Sequence, residues 1–289
     1  MRKNERKDRM EAKVLEVLKH RSSVRSFTDE PIPEAVFHDI LDCGVHAASA
    51  GNLQPFSIIR LSTPADKKFL TETCHMQGFV KKAAENLLFC IDFHRLKQWA
   101  MVNKAPFAAN HSYNHFWVIF QDVVICAQTI ETAANAYGIG SCYIGTTMES
   151  NDEIIDYCQL PEGVFPVVLL TMGYPLQERT INDKLQVEDV LHSSHYHTYS
   201  DEEIKTMYQK KYGEIQMPLN DRTKNKVYQT AKKVNGDAYA EECLKEMEDN
   251  GYVNYAQYRF GLHYVADEML EGRETFIQAL HRQGIDWIQ

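Results

Sequence analysis

Residues 115–145 read HFWVIFQDVVICAQTIETAANAYGIGSCYIG. The first two thirds of this stretch keep an apolar face and contain neither Gly nor Pro, which predicts one long helix from about His115 to Tyr137. At Gly138 the helical pattern stops. The following G-I-G-S-C-Y-I-G imitates the glycine loop of a dinucleotide-binding unit, yet that loop must leave a strand and open a helix. Here it leaves a helix and opens no clear one, so a doubly wound nucleotide-binding fold is excluded. Glycines in this position instead let backbone come close to a neighbour, such as a planar group whose charge an N–H can stabilise.

On either side of this stretch lie segments of strand length. FSIIRL (56–61) and NLLFCIDF (86–93) read as strands, with PADKKFLTETCHM (64–76) as a helix between them. A short helix is expected over Asp152–Tyr157, and FPVVLLTMGYP (165–175) has the continuous β-branched character of a buried strand. Towards the N-terminus, MEAKVLEVLK (10–19) carries Val14, Leu15, Val17 and Leu18 at helical spacing and gives way to a basic loop or short strand. PIPEAVFHDILDCGVHAASAG (31–51) reads as a helix entered through Pro33 and closed by a tight turn of small residues. Strands and helices in this mixture point to an α+β domain. Beyond about His195 the composition shifts to Lys, Glu, Asp and Tyr. Helical periods there, over 201–212, 238–250 and from Tyr255 onward, predict a mainly helical extension over 196–289, following a first domain over 1–195.

The net charge of −9 argues against a general affinity for polyanions, so nucleic acid is not an expected partner. The charge is uneven: residues 1–25 carry +5 and the remainder −14. Seven cysteines with no C-x-x-C pair sit mostly in apolar runs, as expected of reduced packing residues in a cytoplasmic protein. The N-terminus is charged where a signal peptide needs an apolar run, and the longest apolar stretch, Val164 to Met172, is too short to span a bilayer.

Two further segments carry chemistry. Arg21-Ser22-Ser23-Val24-Arg25 offers two guanidinium forks, two hydroxyls and free backbone N–H groups just past a helix, a set that suits a phosphate dianion. The plainer alternative is a helix-to-loop junction with solvated arginines. Ala48-Ser49-Ala50-Gly51-Asn52-Leu53-Gln54-Pro55-Phe56 is a turn of small residues in which Asn52 and Gln54 present amides, able to match a ring edge that alternates donors and acceptors. Its plainer alternative is a helix C-terminus whose amides only satisfy local backbone.

Taken in order, RSSVRSF, ASAGNLQPF, YGIGSCYIG, VVLLTMGYP and KLQVEDVLH resemble the nitroreductase-like flavoprotein family over roughly residues 10–195. The resemblance implies a nitroreductase-like α+β fold: a central, mainly antiparallel sheet flanked by helices, in an intertwined homodimer with FMN as cofactor. It assigns Arg21, Ser22, Ser23 and Arg25 to the FMN phosphate and ribityl chain. Ser49, Ala50, Asn52 and Gln54 reach the flavin of the partner subunit, and Gln77 lies near the pyrimidine edge. Ile144 and Gly145 turn backbone towards flavin N5, and Lys184 closes on the phosphate. The implied activity is ping-pong: hydride passes from NADH or NADPH to N5, and a nitroaromatic, quinone or similar small acceptor then takes it from the same face, with no acid or base named. Competing expectations are a specialised member acting on a halogenated ring or on flavin itself, a flavin-binding protein without turnover, and a binding module built on the basic residues 2–13. Family members often have proline where this chain has Ala48, and an Ala-Pro step where it has Ala83-Ala84-Glu85-Asn86.

Three weaker features are set aside. His192, His195 and His197 sit in a polar connector without a partnering carboxylate at metal-site spacing. Cys142 in the glycine loop reads as packing. The aromatic residues Tyr252, Tyr255, Tyr258, Phe260 and Tyr264 read as an amphipathic packing face.

Overall fold

A computed structural model describes residues 14–178, 180–213 and 215–287. The start of the expected first helix and the basic residues 2–13 therefore lie outside the described residues. Residues 14–19 form helix α1. The basic segment after it makes two isolated bridges, Ser23 with Ser141 and Phe27 with Pro175.

Four strands build the sheet: β1 (Phe56–Arg60), β2 (Glu85–Asp92), β3 (Gly140–Ile144) and β4 (Val164–Gly173), in the order β1-β2-β4-β3. All three neighbouring pairs are antiparallel. Every residue of β2 is buried and only Val168 of β4 is partly exposed, so these central strands lack the in-out alternation of a half-solvated sheet. Pro166 cannot donate to the ladder, and the β2–β4 register shifts where it meets Cys90. Helix α2 (Glu34–Val45) starts after Pro33 and packs on the long helix α5 (Tyr113–Ala136), which Ser112 caps by accepting the His115 amide. Ile119, Val123, Cys126, Ile130 and Ala134 of α5 join Leu87, Phe89, Phe165 and Leu170 in one core.

Helix α3 (Pro64–Lys68) runs into a π-turn over Phe69–Thr73, and α6 is Asn151–Tyr157. Between β2 and α5 stands α4 (Phe93–Val102), which the sequence reading did not separate from the strand before it. Asp92 ends the strand and caps the helix, accepting the Arg95 amide at 2.8 Å. Strand β3 was also not anticipated.

Two compact units divide the chain, one of residues up to Ile181 together with those from Glu274, the other Asn182–Arg273. The second contains α7 (Asp201–Tyr212), α8 (Asp221–Asn235), α9 (Asp237–Asn250) and α10 (Tyr255–Tyr258), with a short antiparallel pair, β5 (Gln216–Pro218) and β6 (Tyr252–Asn254). Val227, Met247 and Val253 form its core. Helix α8 was not anticipated, and the periodic run after Tyr255 is not continuous: a π-turn over Arg259–His263 follows α10, and α11 (Arg273–Arg282) starts afresh. The terminal residues pack within the first unit. Phe276 meets Phe165 with ring centroids 5.5 Å apart, Trp287 lies against Tyr113 and Phe116, and Gly163 donates its amide to the Gln283 carbonyl at 2.8 Å.

Candidate functional site

Helix α1 ends at His20, and the chain then runs alongside β3. The Val24 amide donates to the Ser141 carbonyl at 2.8 Å, fixing residues 21–25 against that strand. Two glycines make this docking possible. Gly138 takes φ 77 where α5 stops, a conformation that favours glycine. At Gly140 a Cβ would lie 2.5 Å from Val24 Cγ2, so only a residue without a side chain admits the segment. The expectation that these glycines bring backbone near a cofactor thus separates into parts: Gly138 turns the chain and Gly140 seats Val24. At Gly145, an exposed residue just after β3, a Cβ would meet nothing within 4 Å, which leaves the backbone open to approach.

Arg21, Ser23 and Arg25 come together beside Cys142. Burial pushes the Cys142 thiol up, and the Arg25 and Arg21 charges oppose that shift. Arg21 Nε donates to Glu131 Oε1 at 2.7 Å, and its Nη2 donates to Ser23 Oγ at 3.2 Å. Ser141 Oγ donates to the same Glu131 oxygen at 3.0 Å. Glu131 is fully buried and its Oε2 has no partner among the described residues, nor has the buried hydroxyl of Tyr143, whose burial next to Glu131 pushes its pKa up. Ser22 is buried, and Arg25 is exposed with no ion pair among the described residues. The first and third segments of the sequence reading therefore meet in space, centred on a carboxylate that the reading had not singled out. One signal was available: Asp122 and Glu131 are the only charged side chains of Asp, Glu, Lys or Arg type in the 24 residues of α5.

The small-residue turn is a 3₁₀ turn over Ala50–Asn52 with positive φ at Gly51, Asn52 and Gln54. The buried Asp122 carboxylate accepts the Ala50 amide with both oxygens at 3.1 Å, and burial pushes its pKa up against that hydrogen bond. Ser49 Oγ accepts the Gln54 amide at 3.1 Å. Gln54 Nε2 donates to the Val45 carbonyl at 2.7 Å, a bond to local backbone. Asn52 is exposed. No hydrogen bond or ion pair joins this turn to the Arg21 cluster within one chain among the described residues.

Gln77 is exposed and precedes a 3₁₀ turn over Gly78–Lys81; two residues on, Phe79 packs on Phe27 with centroids 6.5 Å apart, beside Val24 and Ala83. Ile144 is buried at the end of β3. Lys184 is exposed in the second unit. In the same unit the His197 ring contacts Glu203 at 3.4 Å, and the described residues contain no group of His, Cys, Asp and Glu able to hold a metal. All seven cysteines are free; Cys43 is exposed, whereas burial pushes Cys126 up to about 12. No helix among the described residues is long and apolar enough to cross a membrane.

A Cr(VI) reductase of a Pseudomonas strain is 28% identical over 82% of this chain and 96% of its own length. An FMN reductase (NADPH) of Bacillus subtilis is 30% identical over 66% of this chain and 77% of its own. Among solved structures, an oxidoreductase from Bacteroides fragilis superposes with a TM-score of 0.76 at 26% identity, covering 93% of this chain and 99% of that one. The nitroreductase family model matches residues 18–174, from the end of α1 through β4, and so takes in the arginine segment, the small-residue turn and the glycine loop. With that match spanning more than half of the chain, this protein belongs to the nitroreductase family.

Proposed function

We propose that this chain is an FMN-dependent oxidoreductase that takes reducing equivalents from NADH or NADPH and passes them to a nitroaromatic, quinone or similar small acceptor, working as a homodimer. The observation that carries it is the meeting of Arg21, Ser23 and Arg25 at β3, where two guanidinium groups and a hydroxyl share one place. That donor set fits the phosphate of FMN, since charge-assisted bonds from Arg are the strong ones for a phosphomonoester. A curated relative bears the name FMN reductase (NADPH), which supports both cofactor and donor. When bound, FMN supplies hydride acceptance and donation at its ring N5. The chain's own part is to hold and orient: Arg21, Ser22, Ser23 and Arg25 at the phosphate end, Gly145 as open backbone beside the buried Ile144, and Gln77 at the ring edge.

A second copy supplies Ser49, Ala50, Asn52 and Gln54. Asp122, which ties down the turn, and Glu131, which holds Arg21, are nine residues apart on α5. At about 1.5 Å and 100° per residue they lie roughly 13 Å apart along the axis and on opposite sides of the helix. One chain therefore presents its turn and its arginines in different directions. Between them α5 exposes a stripe of Trp117, Val118, Val124 and Ile125, each 40% to 43% exposed, and a copy seated on this stripe lies next to both.

Purified protein is expected to be yellow, with its flavin absorbance bleached anaerobically by NADH or NADPH and restored by acceptor over many turnovers. A colourless protein that FMN does not reconstitute overturns the proposal, and bleaching without turnover leaves only a flavin-binding protein. Arg21→Ala combined with Arg25→Ala is expected to lower FMN affinity about a hundredfold or more while the fold persists. Equal flavin occupancy in that variant rules out the phosphate assignment.

A further inference from the structure

We infer that Glu131 is a positioning residue for the phosphate end of this site, holding the Arg21 guanidinium by its Nε edge so that the Nη edge faces outward to a phosphomonoester. The inference rests on the FMN proposal above. A fully buried carboxylate is poorly explained by stability, because an apolar side chain of similar size does as well or better in such a place. Glu131 keeps the carboxylate, leaves Oε2 unpartnered among the described residues, and spends Oε1 on two donors that belong to the site: Arg21 Nε at 2.7 Å and Ser141 Oγ at 3.0 Å. Arg21 Nη2 is steered in turn onto Ser23 Oγ at 3.2 Å, which ties the serine to the same clamp. Arg21 and Glu131 cancel in charge, so among the described residues Arg25 is the cation beside them without an ion pair, and Arg21 contributes direction rather than net charge. A lone arginine at the end of a loop sweeps many rotamers; one clamped at Nε loses that freedom before any ligand arrives, which is the basis of preorganised affinity.

The test compares FMN with riboflavin, which lacks the phosphate, by quenching of flavin fluorescence on the full chain. Wild type is expected to prefer FMN strongly. Arg21→Ala, Glu131→Ala and Glu131→Asp are each expected to reduce the FMN-to-riboflavin affinity ratio by about tenfold, with riboflavin binding changed less than about twofold. Glu131→Asp keeps the charge and withdraws it by one methylene, so it decides the matter if Glu131→Ala fails to fold. A ratio that falls in Arg21→Ala but survives in the Glu131 variants removes Glu131 from the site and leaves the FMN proposal standing. Equal weakening of both flavins by the Glu131 variants reduces its role to packing, and survival of the ratio in Arg21→Ala overturns the inference as well. Wild type that binds neither flavin overturns the FMN proposal itself.

Discussion

Asp122 shows how a single side chain ties stability to the site. Its carboxylate is buried against the Ala50 amide, and burial raises its pKa from the group's ordinary value. The native chain therefore keeps the proton to a higher pH than the unfolded chain does. Between those two values the native state binds more protons, so stability falls as pH rises. Asp122→Asn keeps an acceptor for Ala50 and cannot ionise. Unfolding free energy measured in denaturant from about pH 4 upward is expected to decline less steeply in this variant; identical slopes would refute the account. Neither Asp122 nor Glu131 was singled out from the sequence, because periodicity marks which face of a helix is apolar and says nothing of which backbone amide or guanidinium arrives against it. Arg21, Ser23 and Arg25 were legible for the opposite reason, being grouped within five residues and chemically suited to one ligand.

At the level of elements, the long helix and the three strands β1, β2 and β4 were legible from periodicity and apolar runs. Strand β3 was not, because it is five residues long, opens on glycine and borrows its stability from neighbours on both sides: β4 by a full ladder and residues 23–24 by a bridge. Helix α4 was hidden by Phe93, which continues the apolar run of β2 while Asp92 already caps the helix. The β3 packing gives a test. Gly140→Ala places a methyl 2.5 Å from Val24 Cγ2 and 3.1 Å from Pro175 Cγ. Overpacking of this kind costs about 1–3 kcal/mol. The variant is expected to lose that much stability and to weaken FMN binding by displacing residues 21–25, and Val24→Ala is expected to recover part of both. Unfolding curves and flavin titrations of the single and double variants check it; unchanged flavin binding in Gly140→Ala would separate the docking from the site.

For the whole molecule, the expected division at residue 195 and the compact units differ chiefly in where the last residues belong. The terminal helix has the same polar, helical composition as the segments before it, and composition cannot tell which core a helix joins. Leu280, 1% exposed, lies in the core of the first unit. Leu280→Ala is expected to cost about 3 kcal/mol by denaturant unfolding. A loss below about 1 kcal/mol would mean that the terminal helix contributes little to that core. The apolar stripe on α5 tests assembly: Val124→Lys with Ile125→Lys is expected to convert a dimer to a single chain by light scattering and to release flavin. A monomeric wild type holding full flavin would sink the two-copy site. Because the chain leaves the first unit at Ile181 and re-enters it at Glu274, residues 182–273 are a guest inserted into a host, anchored at both ends. After a protease nick within residues 182–273 the severed C-terminal piece is expected to stay held by the first unit through Phe276, Leu280 and Trp287, so that the two fragments co-elute in gel filtration.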